Sequence, residues 1–168
     1  MRMKVEEVIA LLDLKPHPSE GGFYIETYRS ALAFPESALP GNSRGPHRAA
    51  TAIYYLLSAS SFSALHRLPT DEVFHFYLGD PAEMLVLDPG GSGRRIILGT
   101  DLGAGMRPQV VVPAGHWQGS RVRPGGDWAL LGTTMSPGFE FSDFERGRRE
   151  ELLAAYPAFR DEIESLTR

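Results

Sequence analysis

The sequence predicts a mainly β fold, a sandwich or barrel of short strands with a helix before it and helical segments after it. Two observations lead to this prediction. Between residues 51 and 142, short apolar runs alternate with turn residues at close intervals, whereas helical spacing of apolar residues occurs only near the two ends. The 168 residues, 42% of them hydrophobic, are enough for one core. We therefore expect a single domain over residues 1–168.

The N-terminal elements are predicted from local patterns. Apolar residues at helical spacing predict an amphipathic helix over residues 3–13, which ends before Pro16. Residues 23–29 are dense in aromatic and β-branched side chains and predict the first strand, because such side chains suit a pleated, partly buried surface. Residues 30–49 hold prolines, glycines, serines and Asn42 and are predicted as an irregular loop. Loops of this length in compact domains are usually mobile or functional.

The remaining strands are separated by turns rich in glycine, proline and aspartate, which tight hairpins need. We predict them over residues 50–57, 62–66, 73–78, 82–87, 94–98, 109–112, 116–122, 127–135 and 138–142. Helical spacing returns in the C-terminal tail, where Asp143 is predicted as the N-cap. Leu152 and Tyr156 belong to the apolar stripe, Pro157 interrupts it, and a last turn carries Ile163.

Composition excludes several classes of function. A net charge of -4 and a pI near 5.7 provide no basic face for a phosphate backbone, so no nucleic-acid partner is expected. The absence of cysteine excludes disulfides, thiolate metal sites and a cysteine nucleophile. No segment approaches the roughly 20 apolar residues of a membrane span, so no membrane partner is expected. We expect a cytoplasmic protein.

The most informative segment, residues 65–80, resembles the first cupin motif. In that motif a His-x-His pair, a glutamate and a glycine have the spacing that His66, Glu72 and Gly79 show here. One histidine of the pair is replaced, because Leu68 stands at its position and a leucine cannot bind a metal.

The second cupin motif, Pro-x-Gly-x-x-His, is similar to residues 113–118. Gln118 occupies the histidine position, and an amide oxygen is a weaker donor than imidazole for zinc, iron or nickel. The three-histidine, one-carboxylate site of the motif is therefore reduced to His66, Glu72 and Gln118. We expect no cofactor, and a divalent metal, if one binds, would use these three residues.

Together with residues 21–29, 71–81, 108–115 and 136–141, these motifs resemble the cupin 5 family, also called the family of unknown function 985. The resemblance extends from about Val5 to Pro157. It implies a double-stranded β-helix, the cupin jelly-roll barrel, of the type seen in dTDP-4-dehydrorhamnose 3,5-epimerase, commonly as a homodimer. It implies little about the reaction, because a fold alone does not define a function.

His66 and Glu72 are the candidate catalytic residues. If both face the interior, desolvation disfavours the charged carboxylate while a nearby cation favours it, and such a pair can act as general acid and base. The alternative for His66 is a strand-end histidine that satisfies nearby backbone groups. The alternative for Glu72 is a structural ion pair or hydrogen bond at the mouth of the barrel.

Strand alternation supplies the candidates for substrate binding. Phe74 and Phe76 share the face of Glu72 and are expected to line an apolar wall, whereas His75 points outward unless a bulge resets the register. The other candidates are Gln118, His116, Tyr24 and Arg29.

Two further histidines, His17 and His47, lie in loops beside prolines and join no metal template.

Three functions are consistent with this pattern. The first is an epimerase or isomerase that acts by proton transfer on a sugar-like small metabolite. The second is a non-catalytic module that holds a small molecule in the same cavity. The third is a metal-dependent cupin oxygenase or lyase that uses His66, Glu72 and Gln118.

Overall fold

The structure is a computed structural model that describes residues 3–39 and 43–168, so Asn42 of the predicted loop lies outside the described residues. Its helices and strands are α1 (Val5–Leu11), β1 (Lys15–Pro16), β2 (Phe23–Arg29), β3 (Ala33–Phe34), β4 (His47–Arg48), β5 (Thr51–Ser58), β6 (Phe62–Arg67), β7 (Glu72–Gly79), β8 (Ala82–Leu87), β9 (Gly93–Leu98), β10 (Gln109–Val112), β11 (Trp117–Val122), β12 (Trp128–Met135), β13 (Glu145–Arg146), α2 (Arg149–Ala155) and α3 (Arg160–Ser165). Short 3-10 helices span Glu36–Ala38, Phe141–Asp143 and Pro157–Phe159.

The strands form two principal sheets, and every ladder between named strands is antiparallel. The six-stranded sheet has the order β1-β2-β5-β12-β7-β10, and the five-stranded sheet has the order β13-β6-β11-β8-β9. No ladder between described strands joins the two sheets, so they do not close into one continuous barrel. The mainly β prediction is confirmed as a double-stranded β-helix of two facing sheets.

Three apolar layers hold the fold together. The central layer lies between the sheets and takes side chains from both, including Phe74 and Leu131 of the larger sheet and Met84 of the smaller one. A second layer joins the five-stranded sheet to the C-terminal helices, and a third joins the six-stranded sheet to α1. Removing this apolar area from water is the principal favourable contribution to folding.

The strand predicted at residues 138–142 is wrong. The backbone N–H of Gly138 donates to the Arg48 carbonyl, and that of Phe139 donates to Thr51 Oγ1 at 2.9 Å. These bonds divert the chain from a ladder, and a 3-10 helix follows at Phe141–Asp143. The alternating aromatic residues of this segment cover a cavity instead of forming part of a sheet.

Asp143 is not the N-cap of the C-terminal helix, because α2 begins at Arg149 and is preceded by Arg148. The Asp143 carboxylate instead bonds to the buried His47 ring, with 2.5 Å between Oδ2 and Nε2, and accepts the backbone N–H of Arg44. These hydrogen bonds of Asp143 therefore link the loop before β5 to the segment after β12.

The other expectations for the ends of the chain agree with the structure. The N-terminal helix and the interruption at Pro157 are present, and Ile163 is fully buried. The predicted irregular loop contains only β3, β4 and one 3-10 turn in its described part. Within residues 3–39 and 43–168, no helix is long and apolar enough to cross a membrane.

Candidate functional site

A cavity of about 250 Å³ opens at one end of the space between the sheets. Its polar lining includes side chains from the segment before β2, from β2 itself and from the adjoining ends of β6 and β7. Its apolar lining is formed by Ile53, Leu68, Met135, Phe139 and Phe141. The cavity thus combines ionisable groups with hydrocarbon walls, as small-molecule sites commonly do.

His66, Glu72 and Gln118 are brought together next to this cavity. His66 lies near the end of β6 and Glu72 begins β7, so the short loop between these strands places both side chains at the same end of the fold. Gln118 is the direct partner of His66 across the β6–β11 ladder, and its Nε2 donates to Glu72 Oε2 at 2.6 Å. All three side chains are buried, and His66 and Glu72 line the cavity.

Burial and, to a smaller extent, the nearby Glu20 raise the pKa of Glu72 to about 7. His66 opposes this shift, as do hydrogen bonds from Thr133 and Gln118, because each stabilises the ionised carboxylate. Burial lowers the pKa of His66, although Glu72 counteracts this effect. Near neutral pH the histidine is therefore neutral while the carboxyl group is close to its midpoint.

The hydrogen bonding of His66 defines its tautomer. Its Nδ1 lies 2.8 Å from the carbonyl oxygen of Ala64, and a carbonyl can only accept a hydrogen bond. Nδ1 therefore carries the hydrogen, which leaves Nε2 with a free lone pair. The ring stacks on Phe144 with 5.0 Å between ring centroids, and this contact restricts its orientation. His66 can accept a proton at Nε2.

The structure adds a second histidine–glutamate pair that the sequence analysis missed. His17 and Glu20 line the same cavity, and their side chains are only 4% and 13% exposed. The backbone N–H of Glu20 donates to His17 Nδ1 at 2.9 Å, so the ring hydrogen resides on Nε2, 3.8 Å from Glu20 Oε2. Burial lowers the pKa of His17 and raises that of Glu20.

The position of this second pair depends on contacts between distant segments. Glu20 accepts a short hydrogen bond from the Ser63 hydroxyl, and the Tyr55 hydroxyl donates to the Gly21 carbonyl at 2.8 Å. Gly21 has a φ of 109°, and a Cβ there would lie 2.3 Å from the Phe62 carbonyl oxygen. The Gly21-Gly22 pair before β2 was the one available sequence signal, since glycine often marks a close backbone approach.

Tyr24 and Arg29 of β2 both line the cavity, although simple alternation places them on opposite faces. A register shift between Glu26 and Tyr28 inserts one extra residue into β2 and turns Arg29 to the face of Tyr24 and Glu26. Tyr28 is 54% exposed and does not line the cavity.

The other sequence candidates lie away from the cavity. Phe74 and Phe76 pack in the central core, and the residues named above form the apolar wall in their place. His75 is on the outer face, where its Nε2 is 3.1 Å from Thr134 Oγ1, and no bulge turns it inward. His116 is near the turn after β8, with its Nε2 3.4 Å from Asp88 Oδ2.

The donor set fits a transition-metal ion poorly. Leu68 presents hydrocarbon to the cavity. Gln118 turns its Nε2 toward Glu72, so only its neutral Oε1, buried without a hydrogen-bond partner among the described residues, could act as a metal ligand. In the part of the chain that the structure describes, no group of three or more His, Asp or Glu side chains has an arrangement suited to a metal.

Comparisons with known proteins agree with the fold. The family model described as Cupin superfamily (DUF985) matches residues 6–147. A Shewanella oneidensis protein of known crystal structure is 37% identical, with 99% of each chain covered and a TM-score of 0.87. A hypothetical protein from Leishmania major is 32% identical, with 98% of this chain and 99% of that chain covered and a TM-score of 0.86. An uncharacterised Saccharomyces cerevisiae protein is 28% identical over 141 residues, which cover 78% of this chain and 70% of that protein.

Proposed function

The chain belongs to the family described as Cupin superfamily (DUF985), and we propose that it is an isomerase or epimerase that transfers protons on a small oxygenated metabolite. One observation carries the proposal. The buried Glu72 carboxyl group, with its pKa raised to about 7, faces the cavity beside a neutral histidine. General acid–base catalysis is most efficient when the pKa of the catalytic group lies near the working pH.

His66 and Glu72 supply the acid and the base of the proposed reaction. One of them removes a proton from the carbon next to a substrate carbonyl, and the C–H electron pair forms the enolate double bond while the carbonyl electrons move to oxygen. Return of a proton to the opposite face of that carbon gives epimerisation. If that carbon bears a hydroxyl group, return of the proton to the neighbouring carbon, with transfer of the hydroxyl hydrogen to the former carbonyl oxygen, gives isomerisation. The reaction needs no redox cofactor, because proton transfer leaves the number of electrons unchanged.

His17 is suited to stabilise the enolate oxygen. Its hydrogen resides on Nε2, since Nδ1 accepts from the Glu20 backbone. A neutral N–H donor aimed at developing negative charge in a water-poor site lowers the barrier to enolisation. The pair formed by His17 and Glu20 thus complements the pair formed by His66 and Glu72, since one ring presents a donor and the other an acceptor.

The size of the cavity limits the substrate. A volume of about 250 Å³ lies just below the roughly 300–1,000 Å³ typical of sites for drug-sized ligands. A molecule of about the size of a pentose or hexose is therefore preferred over a nucleotide sugar.

The test is solvent exchange. The purified protein is incubated in D₂O with a panel of ketopentoses and ketohexoses, and loss of the exchangeable C–H signal is followed by proton NMR. We expect enzyme-dependent exchange that falls by about 100-fold or more in Glu72→Gln, which keeps the shape of the side chain but removes its titration. Glu150→Gln, an exposed change on α2, is the matched control and should leave the rate unchanged.

Two outcomes would overturn the proposal. Absence of exchange in every sugar of the panel and in every phosphate ester of those sugars would remove the support for proton transfer. Sugar binding that is identical in the natural protein and Glu72→Gln, without exchange in either, would identify a non-catalytic binding module.

A further inference from the structure

We propose that the cavity selects an uncharged, hydroxyl-rich ligand and rejects the phosphorylated or carboxylated form of the same molecule. This inference rests on the proposed function, because it names the class of substrate for the same site. It follows from the distribution of charge around the cavity.

The lining of the cavity is dominated by carboxylates. Glu20, Glu26 and Glu72 all contribute to it, whereas Arg29 is the one permanent cation among the described residues that line it. An anionic ligand would therefore meet one cation that is already paired with Glu26, and any ionisation of Glu20 or Glu72 would repel it. Like charges placed together in a partly desolvated site oppose binding.

Arg29 is already occupied by carboxylates of the protein. Its Nε and Nη2 donate to the two carboxylate oxygens of Glu26 at 2.8 and 2.9 Å, and its Nη1 donates to Glu140 Oε1 at 2.8 Å. This forked contact with Glu26 is the geometry by which an arginine holds a phosphate or a carboxylate of a ligand. A ligand anion would have to displace Glu26, and two carboxylates already outweigh the charge of the guanidinium.

Hydroxyl groups suit the remaining lining. The carboxyl groups of Glu20 and Glu72 accept hydrogen bonds from hydroxyls, and Thr51 and Thr133 add groups that both donate and accept. The apolar wall offers hydrocarbon surface to the C–H faces of a sugar-like molecule. The raised pKa of both carboxyl groups favours an uncharged partner over a cation, which would require them to ionise in a buried site.

The test uses matched ligands. Each ketopentose and ketohexose of the panel is compared with its phosphate ester and with the corresponding amino sugar, and dissociation constants are measured by ligand-observed NMR. We expect the uncharged sugar to bind about tenfold or more tightly than its phosphate ester, because the carboxylates of Glu26 and Glu140 repel the phosphate. In the double variant Glu26→Gln, Glu140→Gln this preference should shrink or reverse, since Arg29 is then free. The variant Glu150→Gln, Glu151→Gln makes the same change of net charge on exposed α2 residues and should retain the preference.

The outcomes separate the two proposals. A phosphate ester or amino sugar that binds as tightly as the uncharged sugar would overturn the ligand class, and so would a panel in which nothing binds. Deuterium exchange is followed in the same samples. Exchange confined to the phosphate esters would leave proton transfer standing while the ligand class fails. Selective binding of the uncharged sugar without exchange would support the ligand class while the proposed proton transfer fails.

Discussion

At the scale of single residues, the raised pKa of Glu72, on which the proposed chemistry depends, also makes the stability of the protein depend on pH. The folded-state pKa of Glu72 is raised from 4.5 to about 7 by burial. A carboxyl group with a raised folded pKa contributes stability that is fully present below pH 4.5 and is lost as pH rises to about 7. The loss corresponds to about 3 kcal/mol, because each pKa unit is worth about 1.4 kcal/mol. Glu20 shifts in the same direction.

We therefore expect the free energy of unfolding to fall less between pH 4.5 and 8 in Glu72→Gln than in the natural protein. Glu20 and the histidines remain in both proteins, so the difference reports Glu72 together with its effect on the pKa of these neighbours. Urea unfolding at a series of pH values measures it. Parallel pH profiles for the two proteins would contradict the raised pKa. Glu150→Gln serves as the control for loss of an exposed carboxylate.

At the scale of elements, the turn before β2 positions His17 and Glu20. Gly21→Ala would place a Cβ 2.3 Å from the Phe62 carbonyl oxygen, in a backbone conformation that disfavours side chains. The strain alone costs roughly 1–3 kcal/mol, and the displaced Glu20 should reduce the exchange rate as well. Unfolding and exchange measurements on the same sample test both effects.

Gly91→Ala is the matched control for this turn. Gly91 also has a positive φ, of 94°, but a Cβ there would meet no atom within 4 Å. It should lose stability through backbone strain alone and keep its exchange rate. If the two variants lost the same stability and exchange activity, the close contact between Gly21 and the Phe62 carbonyl would not be what positions the turn.

A second prediction at this scale concerns the hydrogen bond between His47 and Asp143. Their side chains are 1% and 4% exposed, so Asp143→Ala leaves a buried imidazole without its carboxylate. Leaving a buried polar group without its hydrogen-bond partner costs about 1–3 kcal/mol. Glu151→Ala, which removes the exposed partner of Arg148, should cost less than about 1 kcal/mol. A loss in Asp143→Ala no larger than in the control, measured by urea unfolding, would contradict the role of this contact.

At the scale of the whole molecule, the C-terminal helices contribute stability without touching the cavity. Ile163 is fully buried in the layer between these helices and the five-stranded sheet. Ile163→Ala should cost about 2–5 kcal/mol, because it removes buried methyl groups and leaves a cavity. The exchange rate of the folded protein should not change. Leu102→Ala, at a residue that is 63% exposed, provides the control.

The homodimer expected from the family resemblance stays a prediction for the whole molecule. Light scattering after size exclusion should give twice the chain mass of 18.5 kDa. The mass of a single chain, measured over a range of concentrations, would contradict it.

Local sequence patterns predicted the longer strands, and the motif resemblance pointed to one part of the site. The strand over residues 82–87 was predicted with the bounds of β8, as was β2, because apolar and β-branched patterns act through neighbouring residues. The resemblance to the cupin motifs grouped His66, Glu72 and Gln118, and the structure places these three side chains next to one another. The predicted strand at residues 138–142 failed because bonds to Arg48 and Thr51, far away in the chain, outweighed its local pattern.

The rest of the site depends on contacts between distant segments. His17 and Glu20 reach it through contacts with Ser63 and with the turn at Gly21, and within residues 14–22 only the Gly21-Gly22 pair indicates the close backbone approach that positions them. Arg29 joins them because one extra residue in β2 reverses the alternation. The pKa of Glu72 likewise depends on burial and on Glu20, 52 positions away in the sequence. Strand formation is local, whereas the environment of a side chain depends on which distant segments pack around it.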